Sequence, residues 1–192
     1  MQKHGLLEEQ VGTFFAISFG VKELNMRYLI FVVAILCFSF VIADTGDPIP
    51  NLQQPRYNIF TAGQPTEPGF KIIADTGVKT VINVLPEKEC IINEKAAVTA
   101  NGMTYHHFPF DPNEFSRDTF VAFGKLMQKV ETPMLIHCST GNHVGGLWFG
   151  YRVLVDKASL AVALREARTI GMTRELEDRM FPWLAAQANL SL

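Results

Sequence analysis

Apolar runs alternate with polar segments that contain Gly and Pro along most of the chain. Residues 78–85 form a β-branched run after the turn residue Gly77, which is typical of a strand buried on both faces. A second apolar run, at 134–136, ends at His137 and Cys138. The same patterning predicts short strands near 58 and at 103–110 and a helix of two or three turns between the Gly/Pro turn after the first strand and residue 78. It also predicts helices at 93–101, 116–130, 144–155, 160–169 and 174–187.

The order of these elements sets the expected fold class. Ser116 is a suitable N-cap, and Phe120, Phe123 and Met127 form the apolar stripe of an amphipathic helix after it. Strands that alternate with helices pair in parallel and carry helices on both faces of the sheet. The sequence therefore predicts an α/β fold with a mostly parallel central sheet flanked by helices.

The N-terminal segment differs from the rest of the chain. Residues 28–43 carry no charge, follow Arg27 and precede a polar segment with Pro48, as in a secretory signal peptide. We expect 1–43 to be an N-terminal extension and signal peptide, 44–57 a linker and 58–192 the folded domain, located in the periplasm or secreted. An uncleaved membrane anchor facing outward is the competing interpretation, and only then would the chain contact a membrane.

Composition narrows the possible classes of protein. The 192 residues are 48% hydrophobic and 19% charged, which is typical of one globular domain rather than a disordered chain. Seventeen basic and nineteen acidic residues give a net charge of −2, which argues against a nucleic-acid partner. Three cysteines are too few for a disulfide scaffold.

The candidate chemistry lies where the strand at 134–136 ends. In parallel sheets, ligands bind beyond the carboxyl ends of the strands. A short loop and the start of a helix follow Cys138, so backbone N–H groups and the positive end of a helix dipole would form an anion site and favour the thiolate. A thiolate in an anion site can attack a phosphoester. The predicted phosphate-binding residues are Ser139, Thr140, Gly141, Asn142, His143, Val144 and Gly145.

This loop resembles that of the cysteine-dependent protein tyrosine and dual-specificity phosphatases, whose signature is His-Cys, five residues and Arg. It is more similar to the bacterial beta-lactamase-hydrolase-like phosphatases, which combine a Gly-Gln-Pro turn, a Val-Ile-Asn strand and the loop His-Cys-x-x-Gly-Asn-Arg-Val-Gly. The resemblance spans about 58–184. It implies a dual-specificity-phosphatase-like fold in which Cys138 is the nucleophile and His137 tunes it. The corresponding residues are Gly63-Gln64-Pro65, Val81-Ile82-Asn83 and the helix at 147–152.

The loop departs from both patterns at the phosphate-binding Arg. The general spacing places Val144 there, and the bacterial spacing places His143 there. Arg holds two phosphate oxygens with a permanent charge, whereas His offers single hydrogen bonds and is ordinarily charged only in acid solution. We therefore expect slow hydrolysis, an acid pH optimum, or binding without turnover. Arg152 lies two helical turns further on and is not expected to replace the missing Arg.

Other candidate groups are less clear. Asp111 follows the strand at 103–110, where the phosphatases carry their general acid, but Asp111-Pro112-Asn113 also suits a simple turn. Cys90 is either a small buried side chain or a resolving partner for Cys138. Adjacent His106 and His107 point to opposite faces of a strand, so we expect neither a metal site nor another cofactor.

These observations support three functional hypotheses. The first is an exported phosphatase that acts on phosphorylated substrates through Cys138, with Asp111 and His143 assisting. The second is a pseudophosphatase that binds a phosphorylated or anionic ligand without turnover. The third is a rhodanese-like sulfur carrier, which the Gly-Gln-Pro motif disfavours. The oligomeric state and the physiological substrate are not encoded in any recognisable motif.

Overall fold

A mixed five-stranded sheet organises the domain. The computed structural model describes residues 46–89 and 93–189. In this part of the chain the strand order is β1-β2-β5-β3-β4, with β1 antiparallel to β2 and all other neighbours parallel. The predicted α/β class is confirmed. The strands are β1 (Gln53–Arg56), β2 (Ile59–Ala62), β3 (Thr80–Asn83), β4 (Thr104–His107) and β5 (Met134–His137).

Six α-helices and one 3-10 turn accompany the strands in the described ranges, and three of the helices follow the last strand. The five helices with predicted bounds lie within about three residues of them, and the helix after the Cys138 loop begins at Asn142, two residues earlier than predicted. The helices are α1 (Glu67–Asp75), α2 (Glu94–Ala100), α3 (Arg117–Lys129), α4 (Asn142–Leu154), α5 (Leu160–Ile170) and α6 (Arg174–Asn189), and the 3-10 turn is Glu87–Glu89. Ser116 caps α3 as predicted, because its side chain accepts from the backbone N–H of Thr119.

The sheet separates two apolar clusters, and alternate residues of its central strands enter each. Leu135 and Val81 pack with Phe70 of α1 and Val98 of α2. Their strand neighbours face the other side, which α3 to α6 cover. The larger cluster there contains Ile82, Ile136, Phe120, Phe123, Leu147, Trp148, Phe149 and Cys138, among others. Burial on both faces explains the continuous apolar runs of β3 and β5.

The expectation of a linker at 44–57 is wrong for its described part, 46–57. Strand β1 lies there and extends the sheet. Ile49 is buried, and the carbonyl oxygen of Pro50 accepts from the N–H of Gly63 at 2.7 Å. The strand has no apolar alternation and contains Pro55, which is tolerated at a sheet edge. A strand stabilised mainly by backbone pairing leaves little sequence signal.

The predicted signal peptide at 1–43 lies outside the described residues. Among the helices at 46–89 and 93–189, none combines the length and apolar character needed to cross a membrane.

Candidate active site

Cys138 lies at the junction between the central strand β5 and the start of α4. Its side chain is fully buried, and its Sγ accepts from the backbone N–H of Gly141 at 3.1 Å. Gly141 has a φ of +97°, and a Cβ there would meet the Nδ2 of Asn51 at 2.6 Å. Only glycine suits both the left-handed backbone and the close contact. The loop therefore directs a backbone donor and a helix N-terminus at one sulfur atom.

Neighbouring segments hold this loop from two sides. The Nδ2 of Asn51 donates to the carbonyl oxygens of Thr140 and Ile170, at 3.2 and 2.6 Å. The backbone N–H of Gln64 donates to the carbonyl oxygen of Ser139 at 3.0 Å. The side chains of Ser139 and Thr140 remain exposed, so the outer surface of the loop is accessible to a ligand.

Part of the predicted phosphate-binding set has other contacts. Val144 is buried in the core, and the N–H of Gly145 donates to the carbonyl oxygen of Gly141 within α4. The Oδ1 of Asn142 accepts from the N–H of Thr173 at 2.9 Å. The side chain of Val144 and the amide of Gly145 therefore do not face a ligand. The sequence predicted that both residues belong to the loop because it placed the start of α4 at residue 144. The helix begins at Asn142, so both residues lie within it.

His143 is half-buried beside two carboxylates. Burial lowers its pKa below the ordinary value, while the charges of Glu89 and Asp111 oppose that shift. Its Nδ1 is buried and has no hydrogen-bond partner among the described residues. His143 is therefore neutral near pH 7 and does not reproduce the permanent charge of an arginine.

Asp111 lies in the predicted turn, and its role as general acid stays a prediction. Its Oδ1 accepts from the backbone N–H and the Nδ2 of Asn113, at 2.8 and 3.0 Å, so the turn is present. The backbone hydrogen bond from Asn113 lowers the pKa of Asp111, and the charges of Lys88 and His143 act in the same direction. Arg179 of α6 donates to the carbonyl oxygen of Pro112 and to Asn113. The fold brings this turn within electrostatic range of His143.

A buried polar cluster lies behind the loop, and sequence reasoning missed its central residue. The carboxylate of Glu94 accepts from the Nε2 of His137 at 2.9 Å and from the side-chain amides of Gln64 and Asn83, both at 3.1 Å. The Gly-Gln-Pro and Val-Ile-Asn motifs pointed to Gln64 and Asn83 without assigning them a contact. An isolated Glu at the start of a helix gives no signal of this kind.

The remaining candidates lie away from the thiol or outside the described residues. Arg152 donates to Glu166 through its Nε at 2.7 Å and to Asp156 through its Nη1 at 2.8 Å, as a structural ion-pair network. His107 contacts the carbonyl oxygen of Leu85. In the ranges 46–89 and 93–189, no group of three His, Cys, Asp or Glu side chains is placed to hold a metal ion. Cys90 lies outside the described residues, so its pairing with Cys138 stays a prediction.

Comparison with known proteins shows what the domain is similar to. Residues 64–152 match the family model described as Beta-lactamase hydrolase-like protein, phosphatase-like domain. This segment is therefore similar to that family of phosphatase-like domains. The match contains the Gly-Gln-Pro turn, the Val-Ile-Asn strand and the Cys138 loop. The resemblance to the cysteine-dependent phosphatases seen in the motifs is thus confirmed.

Individual relatives agree with this assignment. The chain is 25% identical over 127 residues to a protein of Mycosarcoma maydis provisionally named tyrosine-protein phosphatase OCA1, covering 63% of this chain and 80% of that protein. A provisionally named phosphatase from Neisseria meningitidis superposes with a TM-score of 0.59 at 23% identity, over 67% of this chain and 95% of that one. TpbA of P. aeruginosa gives a TM-score of 0.59 at 19% identity, over 76% and 87%. The two solved structures show that the fold is shared.

Proposed function

We propose that this chain is a cysteine-dependent phosphatase that hydrolyses phosphoesters through Cys138. The observation that carries the proposal is the hydrogen bond from the N–H of Gly141 to Cys138 Sγ at the N-terminus of α4. A backbone donor and a helix dipole stabilise a thiolate there, and the same field attracts a phosphate group.

The proposed reaction has two steps. In the first, the Cys138 thiolate attacks phosphorus, a P–S bond forms and the ester P–O bond breaks, while the leaving oxygen takes a proton from a general acid. In the second, water attacks phosphorus and gives a proton to the conjugate base of the general acid, the P–S bond breaks, and inorganic phosphate and the Cys138 thiolate are released. Asp111 is the proposed acid because it lies within electrostatic range of His143 in the loop.

Phosphotyrosine-type monoesters are the proposed substrate class. The Mycosarcoma maydis relative is provisionally named a tyrosine-protein phosphatase, and TpbA has also been solved in complex with pTyr. An aryl phosphate is also the least demanding substrate, since a phenolate is a better leaving group than an alkoxide. This choice makes generic aryl phosphates the appropriate assay.

We expect the activity to be weak. His143 replaces the loop Arg, and burial lowers its pKa, so it contributes no full charge at neutral pH. Loss of one charge-assisted contact to a transition state costs about 10²–10³-fold in rate. Acid solution protonates His143 and is expected to raise activity, until the thiolate and the substrate are themselves protonated.

The test is hydrolysis of an aryl phosphate by the full chain under reducing conditions, compared with Cys138→Ser. The proposal predicts slow release of phosphate from about pH 5 to 8 that disappears in the variant. Equal release by the two proteins, or none by either, would overturn it.

Binding without turnover is the second candidate function, and the neutral, half-buried His143 favours it. The loop amides would still attract an anion when hydrolysis is negligible. Isothermal titration of the wild type with inorganic phosphate measures this directly. Phosphate binding by a wild-type protein that shows no hydrolysis would support the second candidate. Absence of phosphate binding would rule it out.

Export is a separate proposal, supported by the uncharged segment 28–43 after Arg27. It predicts that cells which express the chain release a product that has lost residues 1–43. The intact mass of the exported protein measures this, and a full-length mass would instead favour the anchor interpretation.

A further inference from the structure

One buried carboxylate contacts residues at the ends of three neighbouring strands. His137 at the end of β5 is in register with Ala62 of β2 and Asn83 of β3, on either side of it. Glu94 of α2 accepts from His137, from Asn83 and from Gln64, which lies two residues beyond β2. These strand ends form the edge of the sheet at which Cys138 lies.

The contacts define the charge of this cluster. The side chains of His137 and Glu94 are 0% and 2% exposed. Burial opposes ionisation of Glu94, but the hydrogen bond and the charge of His137, with the amides of Gln64 and Asn83, outweigh it and lower the pKa. An ionised carboxylate is only an acceptor, so His137 donates through Nε2.

His137 is directed away from the thiol. Its ring lies against Phe70 of α1, with centroids 6.1 Å apart at an interplanar angle of 69°. Cys138, the next residue, packs into the opposite cluster with α3 to α6. The His137 side chain therefore acts on Cys138 through the backbone, by fixing the last residue of β5.

A second connection reaches the loop through Gln64. Its side chain donates to Glu94, while its backbone N–H donates to the carbonyl oxygen of Ser139 at 3.0 Å. Glu94 thus constrains the loop on both sides of Cys138: residue 137 directly and residue 139 through Gln64.

We infer that Glu94 is a positioning residue for the Cys138 nucleophile, acting through His137 and Gln64 without contacting substrate. This inference rests on the proposed function, because it assigns Glu94 to the same reaction. Displacement of a reacting group by about 1 Å can cost on the order of 100-fold in rate. Removing the charge of Glu94 should therefore affect turnover more than substrate binding.

The test is Glu94→Gln in the full chain. Glutamine keeps the volume but has a single acceptor oxygen, so it cannot accept from His137 on one side and from Gln64 and Asn83 on the other. For aryl phosphate hydrolysis at a temperature where the variant is folded, kcat should fall about 10–100-fold, with little change in KM. Glu166→Gln is the matched control, because Glu166 also accepts from two side chains, Trp148 and Arg152, in the ion-pair network. Its kcat should stay within about twofold of the wild type.

The second measurement does not depend on turnover. The rate at which iodoacetamide alkylates Cys138, from about pH 5 to 9, reports the exposure of the thiol and its thiolate fraction. Peptide mass spectrometry separates Cys138 from Cys37 and Cys90. Glu94→Gln should shift this pH profile, whereas Glu166→Gln should not.

These results distinguish the two proposals. Wild-type protein without hydrolysis would overturn the proposed function, and the alkylation profiles would still decide the inference about Glu94. If Glu94→Gln is less stable but keeps the wild-type kcat and an unchanged alkylation profile, Glu94 has a structural role only and the inference is overturned.

If Glu94→Gln does not fold, Gln64→Met is the alternative variant. It removes one donor to Glu94 and keeps the backbone hydrogen bond to Ser139. Its kcat should then fall about three- to tenfold, and unchanged kcat and alkylation would overturn the inference.

Discussion

At the scale of single residues, the loop contains the cysteine of the phosphatase signature and lacks its arginine. Cys138 accepts from a backbone N–H at the start of α4, so its environment is set by main-chain geometry. Phosphate binding instead depends on side-chain charge, and His143 lies where burial lowers its pKa. The Glu94 cluster joins residues distant in sequence at the strand ends beside the loop.

Substitution of His143 tests this difference. His143→Arg restores a permanent charge and a planar pair of donors, so kcat/KM for an aryl phosphate at pH 7 should rise about 10–100-fold. The gain should be smaller at pH 5, because the wild-type His143 is then more protonated. Steady-state kinetics at both pH values provide the measurement, with His143→Gln as the uncharged control. Equal rates for Arg and Gln would show that charge at this position does not limit the reaction.

Asp111 can be tested without disturbing its turn. In Asp111→Asn the Oδ1 can still accept from the N–H of Asn113, but the side chain can no longer donate a proton as a carboxylic acid. If Asp111 is the general acid, kcat should fall about 10²–10⁴-fold for alkyl phosphates and less for aryl phosphates with good leaving groups. The kinetic comparison is between these two substrate types. An equal effect on both would indicate that Asp111 serves only the turn.

At the scale of elements, the candidate site depends on how α4 packs. This helix begins beside Cys138, and a Cβ at Gly150, further along it, would overlap the ring of Phe120 in α3. Gly150 therefore permits the close approach of α3 and α4. The position of the loop is linked to this packing because α4 carries its last residues.

Gly150→Ala should destabilise the domain although alanine favours helix. Overpacking of a buried contact costs about 1–3 kcal/mol, which exceeds the gain of about 1 kcal/mol in helix propensity. The free energy of unfolding in urea, followed by Trp fluorescence, measures the difference. Gly46→Ala is the control, because no atom lies within 4 Å of a Cβ there. A Gly150→Ala protein as stable as the wild type would mean that α3 and α4 can separate at little cost.

At the scale of the whole molecule, paired carboxylates connect stability to pH. Burial opposes ionisation of Glu94 and Glu166, but several favourable contacts together outweigh it and lower the pKa of each. For Glu94 these are the hydrogen bond and charge of His137 with the amides of Gln64 and Asn83, and for Glu166 the hydrogen bonds from Arg152 and Trp148 with the charge of Arg152. For Glu177 the main cause is the hydrogen bond from Arg168. In each case folding favours the ionised form.

The domain should therefore lose stability in acid. A carboxyl whose pKa is lower in the folded state stabilises the protein above its unfolded pKa, near 4.5, and this stabilisation disappears as pH falls through the folded pKa. Urea unfolding at pH values between about 7 and 3 tests this. In Glu166→Gln the free energy of unfolding should depend less on pH than in the wild type. Glu67→Gln, at an exposed position, should behave like the wild type. A free energy of unfolding constant over this range would contradict the linkage.

Much of the architecture was predictable from local patterns. The β-branched runs at β3 and β5 identified buried central strands, and Ser116 marked the start of α3. Strand β1 was missed because backbone pairing at an edge requires no apolar alternation. The junction between β5 and α4 was found because an apolar strand that ends just before Cys138 and a Gly-containing turn has a recognisable sequence.

The sequence by itself determined the order of strands and helices, the α/β class and the place of Cys138, because periodicity and turn residues act over a few neighbours. Tertiary structure alone decided that Glu94 meets His137, 43 residues away along the chain, and that Asp111 lies within electrostatic range of His143. It also decided that Val144 enters the core. The physical reason is that hydrogen bonds and charge interactions depend on distances in space, which packing of the helices on the sheet sets.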